Sequence, residues 1–132
     1  MKFFLIIVSS FNSFIWILIK ILPAKLILIL IRFSNCKFIY LNIKKKNKYK
    51  SFIKNIFYKR RINDRFSSCL SKAITARFLF NIIGLDNNLK LGIILKDERK
   101  KIPHAWLEDK LTGEELTFKT TSKELCIFKI KL

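Results

Sequence analysis

Glycine, proline and histidine are scarce in this sequence: its 132 residues include three Gly, two Pro and one His. Hydrophobic residues, by contrast, make up 51% of the chain. So much apolar surface collapses rather than staying solvated, which excludes collagen-like, low-complexity and intrinsically disordered chains. The length predicts one folded unit with a modest core.

Cysteine is also sparse, since three residues are too few, and odd in number, for a disulfide scaffold. Free thiols in a reducing compartment are the simpler interpretation. The chain has no Gly-rich phosphate loop, no zinc-type cysteine spacing and no nucleotide-binding fingerprint. We therefore expect neither a metal nor an organic cofactor.

Acidic residues are missing from positions 1–63, which hold 14 Lys and Arg, whereas 64–132 hold 13 basic and 9 acidic residues. Such a skew is typical of chains that contact nucleic acid or an anionic membrane surface. Lys outnumbers Arg 21 to 6, and Ile, Phe and Asn are abundant, so compositional bias is the competing explanation. We divide the chain into a hydrophobic, basic helical region, 1–63, and a more balanced domain, 64–132.

Residues 1–33 are largely apolar and are interrupted by Pro23, which predicts two helices separated near the proline. Residues 3–19 are uncharged and at the lower limit of length for crossing about 30 Å of hydrocarbon. Three serines and Asn12 weaken a transmembrane assignment, and the first apolar run is too short for a cleaved secretory signal. We expect this region to pack on the domain or to lie against a membrane, with a true span as the alternative.

The basic stretch at 44–50 is predicted to be an exposed, solvated segment. Beyond it, apolar residues recur at helical spacing between basic ones. This pattern predicts a short amphipathic helix that carries Phe52, Ile53, Ile56 and Phe57.

A second well-marked helix is predicted to begin at Ser67 or Ser68, either of which can cap it, and to end at Gly84. Its apolar positions repeat every four residues, at Leu70, Ile74, Phe78 and Ile82.

Alternating hydrophobicity at 89–96 and 102–108 predicts an antiparallel hairpin. A second hairpin, through 109–114, is predicted to return at 116–118, with a last strand at 125–130. Helices combined with a small antiparallel sheet place the chain in the α+β class.

Cys69 is the only cysteine at a position suited to a nucleophile. The first turn of a helix presents unsatisfied N–H groups and the positive end of the macrodipole, which favour the thiolate form. Arg65 adds a nearby positive charge. Cys36 and Cys126 lie in apolar stretches and are expected to be small packing residues. The same structural role is the alternative for Cys69.

His104 is the only imidazole, and the predicted strand places it on the same face as Trp106. A lone strand histidine is often only a hydrogen-bonded structural residue. However, a helix-start cysteine followed 35 residues later by a strand histidine is the arrangement that papain-like and transglutaminase-like folds use for a catalytic pair.

Short motifs in 64–110 also resemble a known family. They are Ser68-Cys69-Leu70 at the helix start, Leu91-Gly92-Ile93 in the first strand, and His104-Ala105-Trp106-Leu107-Glu108 in the second. Together they resemble the transglutaminase-like domain of lasso-peptide leader peptidases, the microcin-processing family. The resemblance implies a transglutaminase-like, papain-like cysteine peptidase fold, with a catalytic helix packed on a small antiparallel sheet and hydrophobic helices before it.

The resemblance further implies that Cys69 is the nucleophile and His104 its base in removing the leader from a ribosomally made precursor peptide. The implied partners are that precursor, a separate small leader-recognition protein and a cyclase of the same pathway. No specific nucleic acid is expected. The expected location is cytoplasmic, with peripheral membrane contact through residues 1–33.

The sequence departs from the family at the third catalytic residue, an Asp expected on the next strand. That position falls near 116–118, which holds no carboxylate. Asp109 is an odd number of residues from His104 and so points to the opposite strand face. Thr117 and Thr120 offer only hydroxyl groups. The alternative is therefore a catalytically weak or inactive homologue that acts as a membrane-associated basic binding protein.

Overall fold

The computed structural model describes residues 2–34, 42–58, 68–97 and 100–117. In this part of the chain, four helices precede two antiparallel strands. The helices are α1 (Lys2–Ile21), α2 (Ala24–Phe33), α3 (Ile43–Tyr58) and α4 (Cys69–Ile82), and the strands are β1 (Asn87–Asp97) and β2 (Lys100–Asp109). The mixed arrangement confirms the predicted α+β class.

Pro23 separates α1 from α2, as the sequence predicts. Its backbone is extended, with φ −65° and ψ 155°, because a proline in a helix interior lacks the N–H donor and its ring clashes with the preceding turn. The Pro23 carbonyl accepts the N–H of Leu26 at 2.9 Å and so begins α2.

Both ends of α4 are closed by local hydrogen bonds. Ser68 and Ser71 form a reciprocal capping box at its start. At its end Gly84 has φ 72°, a left-handed conformation in which glycine avoids the penalty of a side chain. The N–H groups of Gly84 and Leu85 bond the carbonyls of Asn81 and Phe80, which is a Schellman motif. The sequence therefore predicts both boundaries of α4 to within two residues.

β1 and β2 form the predicted first hairpin, with Gly92 opposite His104 and a register shift between Leu95 and Asp97. After the turn beyond Asp109 the chain runs back along β2, where the backbones of Glu108 and Glu115 form an antiparallel β-bridge. This return confirms the start of the second hairpin. The predicted strand at 125–130 lies outside the described residues.

α4 is the central element, since it packs against α1, α3 and both strands. The buried apolar residues form one cluster that crosses the 63/64 division, so helices of 1–63 and the domain of 64–132 share a core. Its members are Val8, Ile15, Ile31, Ile53, Ile56, Phe57, Ala73, Ile74, Ala76, Phe80, Ile83, Leu89, Ala105, Leu107 and Leu116.

Buried polar side chains connect α4 to its neighbours. Thr75 Oγ1 donates to Asn12 Oδ1 of α1 at 3.4 Å. Asn81 Nδ2 donates to the carbonyl of Ser34 at 2.5 Å, and Asn87 Nδ2 donates to Asn81 Oδ1 at 2.9 Å. Because a buried polar group without a partner is costly, these bonds select one packing arrangement of the helices.

Most of the basic stretch at 44–50 is exposed, as predicted, including Lys44, Lys45 and Lys48. The stretch is also helical, because α3 begins at Ile43, before the apolar residues that predicted the amphipathic helix. Lys50 departs from the predicted exposure, since its side chain is 15% exposed and pairs with Asp109 at 2.5 Å. A carboxylate from a distant part of the chain offsets the cost of burying this ammonium group.

Candidate active site

Cys69 is the first residue of α4, and the capping box holds the backbone on either side of it. Ser68 Oγ accepts the N–H of Ser71 at 3.1 Å, and Ser71 Oγ accepts the N–H of Ser68 at 2.8 Å. Ser68 therefore caps the helix, and the predicted placement of Cys69 in its first turn is confirmed.

The half-buried Cys69 thiol is free and lies against β2. Its Sγ is 3.8 Å from the carbonyl oxygen of Pro103, to which the thiol donates a weak hydrogen bond. This contact joins positions that are 34 residues apart in sequence. It places the sulfur beside the residue that immediately precedes His104.

His104 lies on the half-buried face of β2, together with Trp106. The two rings are stacked, with centroids 5.8 Å apart and an interplanar angle of 21°. The alternate residues Ala105 and Leu107 are buried in the core. The predicted face shared by His104 and Trp106 is therefore confirmed, and the indole restricts the plane of the imidazole.

The Asp109 side chain bonds to α3 and to the turn after β2. Its side chain is on the buried face with Ala105 and accepts bonds from Lys50 Nζ at 2.5 Å and from the N–H of Leu111 at 2.9 Å. Burial alone would raise the pKa of Asp109, but the Lys50 ammonium and the backbone donors outweigh it and hold the pKa below its ordinary value. This agrees with the expectation that Asp109 does not orient His104.

Thr117, the other nearby candidate, uses its hydroxyl oxygen to accept the N–H of Leu107 at 3.0 Å. It therefore replaces a backbone acceptor for β2. The remaining candidate named from the sequence, Thr120, lies outside the described residues, as do Cys36 and Cys126.

The start of α4 also presents backbone donors. The capping box takes the N–H of Ser71, and the N–H of Lys72 bonds the Ser68 carbonyl at 3.0 Å. The N–H groups of Cys69 and Leu70 have no carbonyl within the helix to bond, because they belong to its first turn. These donors lie next to the thiol, where an oxyanion formed by attack on a carbonyl would need them.

Sequence reasoning missed a charged cluster that fastens α3 to the end of β2. Lys50 pairs with Asp109 and, at 2.8 Å, with Glu114, which also pairs with Lys54. Tyr58 donates to the carbonyl of Glu115 at 2.6 Å. Alternation of basic and apolar residues in α3 was the available signal, but it does not identify the carboxylates.

A cleft of about 320 Å³ opens at the other end of α4. It lies among α3, the loop after α4 and the turn after β2, and neither Cys69 nor His104 lines it. Among the described residues, no group of three or more His, Cys, Asp or Glu side chains is arranged to hold a metal ion.

Comparisons with known proteins return no match, whether to family models, to curated protein sequences or to solved structures.

Proposed function

We propose that the protein is a cysteine peptidase of transglutaminase-like fold that removes the leader from a ribosomally made precursor peptide. The observation that carries the proposal is the 3.8 Å contact between Cys69 Sγ and the Pro103 carbonyl, which brings a capped helix start against the strand that holds the only histidine. The resemblance of 64–110 to lasso-peptide leader peptidases supplies the substrate class.

In the proposed reaction the Cys69 thiol gives its proton to His104, directly or through one water, and the thiolate attacks the scissile carbonyl. The carbonyl oxygen becomes an oxyanion that the N–H groups at the start of α4 stabilise. His104 then protonates the leaving amine, and water hydrolyses the thioester. Stacking on Trp106 limits the rotation of the imidazole.

The leader is proposed to reach the site with a separate small recognition protein, and a cyclase of the same pathway takes the cleaved core peptide. Binding of the leader by a second protein would leave this chain only the cleavage step.

Mass spectrometry of a precursor peptide tests the proposal directly. The substrate is any short precursor peptide that genome sequencing finds encoded beside this chain, incubated with the chain and with a small recognition protein found there. Wild-type protein is expected to release the leader, whereas Cys69→Ala and His104→Ala are expected to release none. The other two cysteines provide matched controls, since Cys36→Ala and Cys126→Ala should cleave like the wild type. Undiminished cleavage by Cys69→Ala would refute the mechanism.

A further inference from the structure

α1 has two apolar faces, of which only one packs on the protein. Val8, Asn12 and Ile15 are buried against the rest of the fold. The opposite face carries six large apolar side chains whose exposed fractions range from 46% to 76%: Phe3, Ile6, Ile7, Phe14, Ile17 and Ile21. At about 100° per residue these six fall within about 100° of arc, which they share with the exposed Ser10, so they form one largely apolar stripe along the helix. We call them the outer stripe.

The outer stripe reverses the usual arrangement of a surface helix, which turns its polar side outward. Here the polar Asn12 is fully buried and bonded to Thr75, while phenylalanine and isoleucine face outward. Single exposed apolar residues are ordinary, but a contiguous apolar patch marks an interaction surface. α2 adds exposed apolar residues of its own, Leu26, Leu28, Ile29 and Phe33.

Basic residues border this apolar surface. Lys2 and Lys20 are exposed and lie on the same edge of α1, 18 residues and therefore about 27 Å apart. Lys25 and Arg32 are exposed on α2, and residues 1–63 contain no acid. A second copy of this chain would bring cations against cations. Anionic lipid headgroups instead complement the charge while the acyl region covers the apolar side chains.

α1 is long and apolar enough to cross a membrane by length and composition, with 17% of its most apolar window buried in the protein. Spanning would nevertheless carry α4 and the hairpin toward the hydrocarbon, because α1 packs directly on α4 and α4 on β2. Sheet edges and charged side chains such as Lys72 are costly there. Lying flat buries the outer stripe and leaves the rest of the fold in water.

We propose that the outer stripe docks the protein on the surface of an anionic lipid bilayer, with α1 parallel to the membrane plane. Phe3, Phe14 and their neighbours enter the boundary between headgroups and acyl chains, and Lys2 and Lys20 reach the lipid phosphates. The inference is independent of the peptidase proposal, since Cys69 and His104 take no part in it.

Vesicle sedimentation of the full chain tests this docking. The probes are phosphatidylcholine vesicles with and without about 30% phosphatidylserine. The wild type should sediment with the anionic vesicles only and should be released by high salt, which screens the headgroup attraction. The double variant Ile6→Glu, Phe14→Glu should bind about tenfold more weakly or worse. Lys2→Gln with Lys20→Gln should weaken binding about fivefold or more and flatten the salt dependence.

Leu111→Glu is the matched control, since Leu111 is an apolar residue 86% exposed on the turn after β2. This variant should bind vesicles like the wild type, and circular dichroism checks that each variant is folded. Equal binding by the Ile6/Phe14 double variant overturns the proposal. So does resistance of the bound wild type to alkaline carbonate, which indicates a span. A dimer by light scattering that binds no vesicles assigns the outer stripe to a second copy instead.

Discussion

The Lys50 ammonium lies 2.5 Å from a carboxylate oxygen of Asp109, which joins α3 to the end of β2 across 59 positions of sequence. Both side chains are largely buried, at 15% and 4% exposed. Burial alone would lower the pKa of Lys50, but its hydrogen bonds to Asp109 and Glu114 outweigh this effect and raise it. The pair is therefore held in its charged form.

Asp109→Asn is expected to lower the free energy of unfolding by about 2–4 kcal/mol, because it leaves the Lys50 charge without its most buried partner. The amide also weakens the acceptor for the N–H groups of Leu111 and Thr112. Urea denaturation measures the change. Glu114→Gln is the matched control: its side chain is 45% exposed, so about 0–1 kcal/mol is expected. Equal effects of the two variants would contradict this account.

Acid is expected to weaken the fold through the same cluster. The pKa of Asp109 is held below its ordinary value of 3.8, and hydrogen bonds from Lys50 and Lys54 hold that of Glu114 below 4.5. The native state therefore binds fewer protons than the unfolded chain in this range. The stabilisation is complete above the ordinary values and is lost as the pH falls through the lowered ones. Urea denaturation below about pH 5 should show a flatter pH dependence in Asp109→Asn than in the wild type. If the free energy of unfolding varied with pH equally in the wild type and in Asp109→Asn, Asp109 would not be a source of the acid sensitivity.

Tyr58 is expected to ionise at unusually high pH. Burial, aided by the carboxylates of Glu115 and Glu114, raises its pKa from 10.0 to about 12. Because the native pKa is raised, its stabilisation is present below pH 10 and is lost as the pH rises toward 12. Phenolate absorbance, recorded as a function of pH after rapid pH jumps, should therefore show a transition near pH 12 that is absent from Tyr58→Phe. Tyr49→Phe, which changes an exposed tyrosine, should retain it.

The capping box at the start of α4 contributes a measurable part of the stability. Ser68→Ala removes the acceptor for the N–H of Ser71 and is expected to cost about 1 kcal/mol in thermal or urea unfolding. Ser68→Gly should cost only about a few tenths of a kcal/mol, because water can then reach the freed N–H of Ser71. If Ser68→Ala left the free energy of unfolding unchanged, the cap would contribute nothing to stability.

Trp106 is expected to position His104 in the proposed peptidase. Trp106→Ala removes the stacked ring and should lower the cleavage kcat by about tenfold to a hundredfold, because the imidazole loses its fixed orientation. Trp106→Phe retains an aromatic face and should restore most of the rate, with KM little changed in both variants. A wild-type kcat for Trp106→Ala would exclude this positioning role.

Local elements were predictable because their signals are local. Neighbouring residues specify the break at Pro23, the capped start of α4 and the left-handed Gly84 that ends it. They also specify the two strands, through the alternating hydrophobicity of β1 and β2. α3 was underestimated because its first turns are too basic to show an apolar periodicity. Lys50 could not be assigned a partner, since a sequence read along the chain does not indicate which carboxylate will lie beside it.

The sequence by itself determined α1, α2 and α4, the hairpin and the chemical character of Cys69 and His104, because backbone propensity and side-chain type act over a few residues. Only the tertiary structure decided that the Cys69 thiol faces the Pro103 carbonyl, that Asp109 turns to Lys50, and that α1 buries Asn12 while exposing its outer stripe. Those outcomes depend on how the elements pack around α4. Packing depends on many contacts between segments that are far apart in sequence. The residue pattern of one segment therefore does not specify which of these contacts form.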